Sequence, residues 1–148
     1  MKLYIKRGSF LVASYLLLSF ALILQKMKVN DGGYIFLISS SIVKEPILNL
    51  ILSNSYRVAL TSVFKTYSKL VAQNGINCIN ISPGPIKTER LLSLVDDFEE
   101  FERSLPMQRA GKPEEIGRFV AGIIKDEIKY LNGVTINFDG GLSSTLFG

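Results

Sequence analysis

The stretch Ile79 to Thr88, with the sequence INISPGPIKT, decides how this 148-residue chain folds. Its first residues continue an apolar run that is typical of a buried β-strand. Pro83-Gly84 then predicts a turn, and Thr88 is a residue type that caps the start of a helix. In open α/β sheets, ligands bind at the carboxyl ends of strands. The functional residues are therefore expected where this strand and its neighbours end.

Helical and strand-like segments alternate along the rest of the chain. Asn30-Asp31-Gly32-Gly33 and Asn74-Gly75 each end a predicted helix, because Asn and Gly accept the positive φ of a helix stop. Every connection between strands contains a helix, so the sheet is predicted to be parallel within one α/β domain over residues 1–148. The predicted helices are Ser9 to Val29, Leu50 to Gln73, a short one starting at Thr88-Glu89-Arg90-Leu91, and Pro113 to Lys125; the predicted strands are Tyr34 to Ile38, Ile76 to Ser82 and Val134 to Phe138.

The segment Tyr34 to Ile38 is a continuous apolar run, which is typical of a strand buried on both faces of a parallel sheet. It is followed directly by Ser39, Ser40 and Ser41. Hydroxyl groups are therefore expected at the carboxyl end of a second strand, near the turn that follows Ile76 to Ser82.

Composition narrows the classes of function. The chain has 17 Lys and Arg against 13 Asp and Glu, and these charges are dispersed, which argues against a nucleic-acid-binding surface. A single cysteine, Cys78, excludes an internal disulfide and suits a reducing compartment, so the cytoplasm is expected. With no His and one Cys, a zinc-type metal site is not expected.

The segment Phe10 to Leu24 is strongly apolar and follows Lys2, Lys6 and Arg7, as in a signal peptide or membrane anchor. Its length falls short of the roughly 20 residues of a spanning helix. No A-x-A-like cleavage site follows it. A buried core or interface helix is the preferred interpretation, and a small membrane-anchored protein is the alternative.

The spacing of residues at the strand ends resembles the C-terminal half of the short-chain dehydrogenase/reductase family. In that family a Ser at a strand end is followed by Tyr thirteen residues later and Lys four residues after that. Here the spacing runs from Ser40 to Ser53 and Arg57, so the positions match but Ser and Arg replace Tyr and Lys. Pro83-Gly84 and Thr88 fall where the family has its Pro-Gly and Thr.

Further segments agree with this resemblance. Asp139-Gly140-Gly141 after the last strand is a family hallmark with a structural role. Lys44-Glu45-Pro46 and Leu52-Ser53-Asn54-Ser55 look like an atypical branch similar to 3-oxoacyl-acyl-carrier-protein reductases. The implied fold is the C-terminal half of a Rossmann-type, doubly wound parallel sheet, with about three parallel strands and crossover helices. The sequence contains no Thr-Gly-x-x-x-Gly-x-Gly motif, so the dinucleotide-binding N-terminal half is missing from it.

The resemblance implies four catalytic candidates. Ser40 would hydrogen-bond the substrate oxygen, and its alternative role is to cap backbone groups at the strand end. Ser53 stands at the position of the family's acid/base Tyr, yet an unassisted serine is a poor proton donor near neutral pH. Tyr56 is a displaced candidate for that acid, or else a packing residue. Arg57 would supply fixed positive charge to a cofactor ribose.

Four further residues are implied to bind NAD or NADP. Pro83 and Gly84 would let the backbone approach the nicotinamide ring, and the Ile86 backbone with the Thr88 hydroxyl would hold its carboxamide. The structural alternative is a strand-to-helix turn in which Thr88 is only the helix cap, and the two roles are compatible.

The implied activity is NAD(P)-dependent oxidoreduction of a small carbonyl or alcohol substrate, with this truncated chain inactive on its own. Homo-oligomers through helices 9–29 and 50–73, or a separately made N-terminal half, are the expected partners. The alternative is an inactive remnant of such an enzyme, or an interaction module that associates through these helices.

Overall fold

The computed structural model describes residues 19, 22–27 and 32–146, which are built around a three-stranded parallel sheet. The strands are β1 (Gly33–Ile38), β2 (Ile76–Pro83) and β3 (Val134–Phe138), and they lie in the order β1-β2-β3. Ile35 pairs with Cys78, and Ile81 pairs with Ile136. The carboxyl ends of all three strands therefore lie at one edge of the sheet, as the alternating sequence predicts.

Helices form each connection. Helix α1 (Ile51–Val71) joins β1 to β2, and α2 (Glu89–Leu92), α3 (Phe98–Ser104) and α4 (Pro113–Lys125) join β2 to β3. Short 3₁₀ turns cover Ser41–Val43, Leu48–Leu50 and Ala72–Asn74. Residues 22–27 are helical, in agreement with the predicted helix Ser9 to Val29, most of which lies outside the described residues.

The core has two layers, one on each face of the sheet. On one face Leu24 and helix α1 cover β1 and β2, and on the other face α4 covers all three strands. Burying these faces is the main stabilising contribution of the fold. The first layer contains Leu24, Phe64, Val71, Ile76 and Cys78, and the second is centred on Ile79, Ile81 and Ile123.

Strand β1 is less buried than its sequence predicts. Every residue of the central strand β2 is buried, whereas Gly33 to Leu37 are only half-buried and Ile38 is 49% exposed. Both faces of β1 are covered, since Ile35 and Leu37 pack in one core layer and Tyr34 and Phe36 in the other. The strand is nevertheless only half-buried, because it lies at an edge of the sheet and has a neighbouring strand on one side only.

Cys78 is fully buried in β2, and burial raises the pKa of its thiol to about 11. The thiol is therefore neutral at physiological pH and behaves as a small apolar core group. Within the part of the chain that the structure describes, no helix is long and apolar enough to cross a bilayer.

Candidate active site

Ser40 lies directly beyond the carboxyl end of β1 and caps the 3₁₀ turn that follows. The Ile42 amide donates to Ser40 Oγ at 3.5 Å, and the buried Ser82 hydroxyl donates to the Ser40 carbonyl at 2.6 Å. The capping role is therefore present. Because Ser40 Oγ accepts a hydrogen bond in this cap, its own O–H proton is still available to a substrate oxygen.

Arg57 connects helix α1 to the same strand end. Its Nη1 donates to the Ser39 carbonyl at 2.8 Å, and its Nε donates to Ser53 Oγ at 3.3 Å. The guanidinium thus holds Ser53 beside the residue that precedes Ser40. A fixed cation that donates to a serine oxygen stabilises negative charge there and leaves the serine proton free to be donated.

Tyr56 lies one helical turn beyond Ser53 and is half-buried. Its hydroxyl makes no hydrogen bond to Ser40, Ser53 or Arg57 in the structure. The sequence placed it on the border of the Ser53 face of the helix. Its side chain is therefore outside the hydrogen-bonded group that Arg57 assembles.

Pro83 and Gly84 form the turn at the end of β2. The contacts of Gly84 with other described residues give it a structural role. The Gly84 amide donates to the Phe138 carbonyl at 3.2 Å. A Cβ atom at Gly84 would lie 2.9 Å from both Cα and Cβ of Asp139. The close approach that requires glycine here is therefore to the Asp139 turn, whereas the sequence interpretation assigned it to a cofactor ring.

The backbone of Ile86 is available for a ligand. Ile86 pairs with Gly111 through the Pro85 carbonyl and the Lys87 amide, and neither the amide nor the carbonyl of Ile86 itself is hydrogen-bonded to another described residue. A carboxamide requires one such donor and one such acceptor. The residues present thus fit the nicotinamide end of a dinucleotide.

Thr88 caps helix α2 by accepting the Leu91 amide on Oγ1 at 3.3 Å. As with Ser40, this use leaves the hydroxyl proton available. The sequence has no glycine-rich turn of the dinucleotide-binding type, so the pyrophosphate and adenylate find no comparable cradle in it.

The chain is similar to known reductases and dehydrogenases. The family model described as enoyl-(acyl carrier protein) reductase matches residues 11–143. NADPH-dependent reductase BacG of Bacillus subtilis is 31% identical in an alignment that covers 78% of this chain and 49% of BacG. Dehydrogenase/reductase SDR family member 4 of Oryctolagus cuniculus is 30% identical over 84% of this chain and 49% of its own length.

The chain belongs to the short-chain dehydrogenase/reductase family.

A solved structure supports the same assignment. The crystal structure of YwfH, an NADPH-dependent reductase involved in bacilysin biosynthesis, superposes with a TM-score of 0.75 at 29% identity, covering 81% of this chain and 50% of YwfH. This short-chain dehydrogenase/reductase chain spans about half the length of these relatives.

Sequence reasoning assigned no role to three residues whose hydrogen bonds hold this region together. The Ser39 carbonyl accepts Arg57, Ser82 fixes the Ser40 carbonyl, and Asn54 Nδ2 donates to the Ile47 carbonyl at 2.8 Å. A run of three serines does not predict which of their hydroxyl and carbonyl groups face the site. Ser82 could have been found from its position, because it precedes Pro83 at the end of a buried strand.

A cleft of about 390 Å³ lies beside the turn after β2. Its wall includes an ion pair in which Arg109 Nη2 lies 2.8 Å from Glu115 Oε1. The hydrogen bond from Arg109, with a second from the Lys112 amide, lowers the pKa of Glu115 to about 2. The remaining lining includes Pro85, Leu105, Met107 and Phe138.

Proposed function

We propose that this chain supplies the carbonyl-reducing half of an NAD(P)-dependent oxidoreductase. The observation that supports this best is the hydrogen-bonded group at the end of β1, in which Arg57 joins Ser53 to the Ser39 carbonyl beside Ser40. In this group two hydroxyls accept hydrogen bonds from fixed N–H donors and keep their own protons for a substrate oxygen.

The chemistry that a bound nicotinamide supplies is a hydride, which adds to the substrate carbonyl carbon. The carbonyl oxygen must then gain one proton, and negative charge develops on it as the bond order falls. Ser40 donates a hydrogen bond to this oxygen. Ser53 transfers its proton to the oxygen, Arg57 stabilises the serine oxygen that loses the proton, and solvent water then returns a proton to Ser53. The reverse sequence oxidises an alcohol.

Tyr56 is the competing proton donor. A phenol is a stronger acid than a serine hydroxyl, which makes tyrosine the more usual proton donor. The contacts favour Ser53, because Arg57 donates to Ser53 and not to Tyr56. Activity that survives Tyr56→Phe and is lost in Ser53→Ala would assign the proton to Ser53.

The nicotinamide end of the cofactor would lie along the turn after β2. The Ile86 amide and carbonyl and the Thr88 hydroxyl supply the donors and acceptor that a carboxamide requires. Pro83 and Gly84 shape that turn. Either NAD or NADP is compatible with these residues, because none of them meets the adenosine ribose in this proposal.

The substrate is proposed to be a small carbonyl or alcohol compound, in the manner of 3-oxoacyl-acyl-carrier-protein reductases, and the lone buried thiol suits a cytoplasmic setting. Because the chain lacks a pyrophosphate cradle, we expect it to be inactive until a dinucleotide-binding half completes it. That half, made as part of a longer chain or separately, is the first partner to seek.

One observation favours the alternative, an interaction module without activity. Apolar side chains between β1 and the first turns of α1 face solvent, with Leu48 89% exposed. Such a surface is typical of a buried interface in an assembly. Homo-oligomers through α1 and the predicted helix 9–29 would use neighbouring apolar positions. The exposed set is Ile47, Leu48, Leu50, Ile51, Leu52 and Val58.

Calorimetric titration of the purified chain with NADH and NADPH, beside thermal melts with and without each cofactor, tests the proposal. We expect weak, saturable binding that raises the melting temperature and is reduced by Thr88→Ala. Arg90→Ala, which changes an exposed side chain of α2, is the control. Absence of binding, together with self-association in sedimentation equilibrium, would favour the interaction module.

A further inference from the structure

The loop after β1, residues 40–47, is fastened to the rest of the molecule at several points. Ser82 Oγ fixes the Ser40 carbonyl from β2, and Lys44 Nζ donates to the Thr135 carbonyl of β3 at 3.4 Å. The loop is therefore hydrogen-bonded to both β2 and β3. Its path determines where the Ser40 hydroxyl lies.

Glu45 adds a contact of a different kind, with the segment that follows β3. Its Oε1 accepts the Ser144 amide at 2.7 Å and the Ser143 hydroxyl at 3.2 Å. Asp139 orders the same segment, since its Oδ2 accepts the Ser143 amide at 3.0 Å. No lysine or arginine of the described chain lies within ion-pairing distance of Glu45.

Hydrogen bonds to a carboxylate are stronger than those between neutral groups. The half-buried Glu45 carboxylate accepts two of them from a segment distant in sequence, and no described lysine or arginine compensates its charge. This arrangement is costly unless both donors stay in place. Glu45 thus restrains the C-terminal segment and the Ser40 loop together.

We propose that Glu45 is a positioning residue, which clamps the C-terminal segment 143–146 against the Ser40 loop and so sets the position of the Ser40 hydroxyl. The catalytic meaning of this clamp rests on the proposed function, whereas its structural meaning does not. The C-terminal segment thereby becomes part of the site, although none of its residues touches the substrate in the proposal.

Backbone amides report the clamp directly. The Ser144 amide is held by Glu45, whereas the Val43 amide donates to the Ser40 carbonyl at 3.1 Å and the Lys44 amide to the Ser41 carbonyl at 3.0 Å. Hydrogen exchange followed by NMR reads each amide separately. The Ile81 amide in β2 reports global unfolding for comparison.

In Glu45→Ala we expect exchange at Ser144, Val43 and Lys44 to accelerate by about tenfold or more relative to Ile81, since a charged hydrogen bond contributes about that factor. Glu127→Ala, which removes an exposed carboxylate paired only with Lys129, should leave all these rates unchanged. A chain that ends at Leu142 removes both donors, so exchange at Val43 and Lys44 should accelerate in it too, and it serves as the test if Glu45→Ala folds poorly.

Acceleration at Ser144 alone would overturn the proposal, because Glu45 would then order only the tail. Unchanged exchange at all three amides, or equal effects in Glu127→Ala, would overturn it as well. Failure of the proposed function shows instead as absence of nicotinamide binding in the unsubstituted chain, a separate readout. Where reduction is measurable, Glu45→Ala should lower kcat with little change in cofactor KM.

Discussion

Arg57 donates from Nη1 to the Ser39 carbonyl at 2.8 Å, so a cation on α1 is fixed to the residue that follows β1. The same guanidinium donates to Ser53, which the sequence resemblance assigns to the position of the family's acid/base tyrosine. Both residues of the usual Tyr and Lys pair are therefore different here, and the two residues at these positions contact each other. In the proposed site, a serine oxygen beside a forked guanidinium would take the place of a phenol beside an ammonium.

Arg57→Ala should lower the free energy of unfolding by about 1.5 kcal/mol, the contribution of a charged hydrogen bond. Arg57→Lys should recover only part of that loss, because one ammonium cannot hold Ser39 and Ser53 in the fork geometry of arginine. Urea denaturation measures both variants, with Arg90→Ala as a surface control. Equal stability of all three variants would show that the contact is not maintained in solution.

Gly84→Ala should destabilise the chain by about 1 to 3 kcal/mol through overpacking against Asp139, whose Cα and Cβ lie 2.9 Å from the added Cβ. Gly117→Ala in helix α4 is the matched control, since a Cβ there meets nothing within 4 Å. That control should stabilise by about 0.5 to 1 kcal/mol by helix propensity. Both changes appear as shifts in the denaturation midpoint, and a neutral Gly84→Ala would disprove the contact.

Glu115 should make the stability of the folded chain depend on pH in the acidic range. Its pKa in the folded chain, about 2, lies below the ordinary value of 4.5 because Arg109 and the Lys112 amide donate to the carboxylate. Its stabilising contribution is therefore complete above about pH 4.5 and is lost as the pH falls toward 2. Between about pH 6 and about pH 2.5, the melting temperature should fall more steeply for the natural chain than for Glu115→Gln. The same dependence of melting temperature on pH in both chains would contradict the ion pair between Arg109 and Glu115.

Cys78 should resist alkylation in the native chain. The thiol has no exposed surface, and burial raises its pKa to about 11, so almost no thiolate is present at neutral pH. Because β2 is the central strand, its exposure requires global unfolding. Iodoacetamide labelling should accelerate with urea in step with loss of circular dichroism, and rapid labelling of the native chain would show local opening of β2. Alkylation of free glutathione by iodoacetamide gives the labelling rate of an unprotected thiol for comparison.

Local sequence signals predicted most of the fold. Pro113 with Glu114 and Glu115 marks the start of α4, and the bounds Pro113–Lys125 and Val134–Phe138 are those predicted. Gly75, at φ 69°, stops the helical run after α1 as expected. These features depend on neighbours in sequence, which is why the pattern of apolar, capping and turn residues is sufficient.

The features that could not be predicted from the sequence depend on tertiary contacts. The exposure of β1 depends on how many strands flank it, and the requirement for Gly84 depends on Asp139, which lies on another strand end. The bond from Glu45 to Ser144 joins residues 99 positions apart. The family resemblance identified Ser40, Ser53 and Arg57 as candidates, but only the fold adds Ser39 as the acceptor that holds Arg57 there.

The most direct test of the central claim is an NMR titration of the labelled chain with nicotinamide mononucleotide and, separately, with adenosine monophosphate. If the chain carries the nicotinamide end of a dehydrogenase site, nicotinamide mononucleotide should shift the amide signals of Ile86 to Thr88 saturably, and Thr88→Ala should weaken that response. Adenosine monophosphate, which carries the same phosphate, should leave these signals unchanged. No shift with the nicotinamide compound, or the same shift with both nucleotides, would contradict the account.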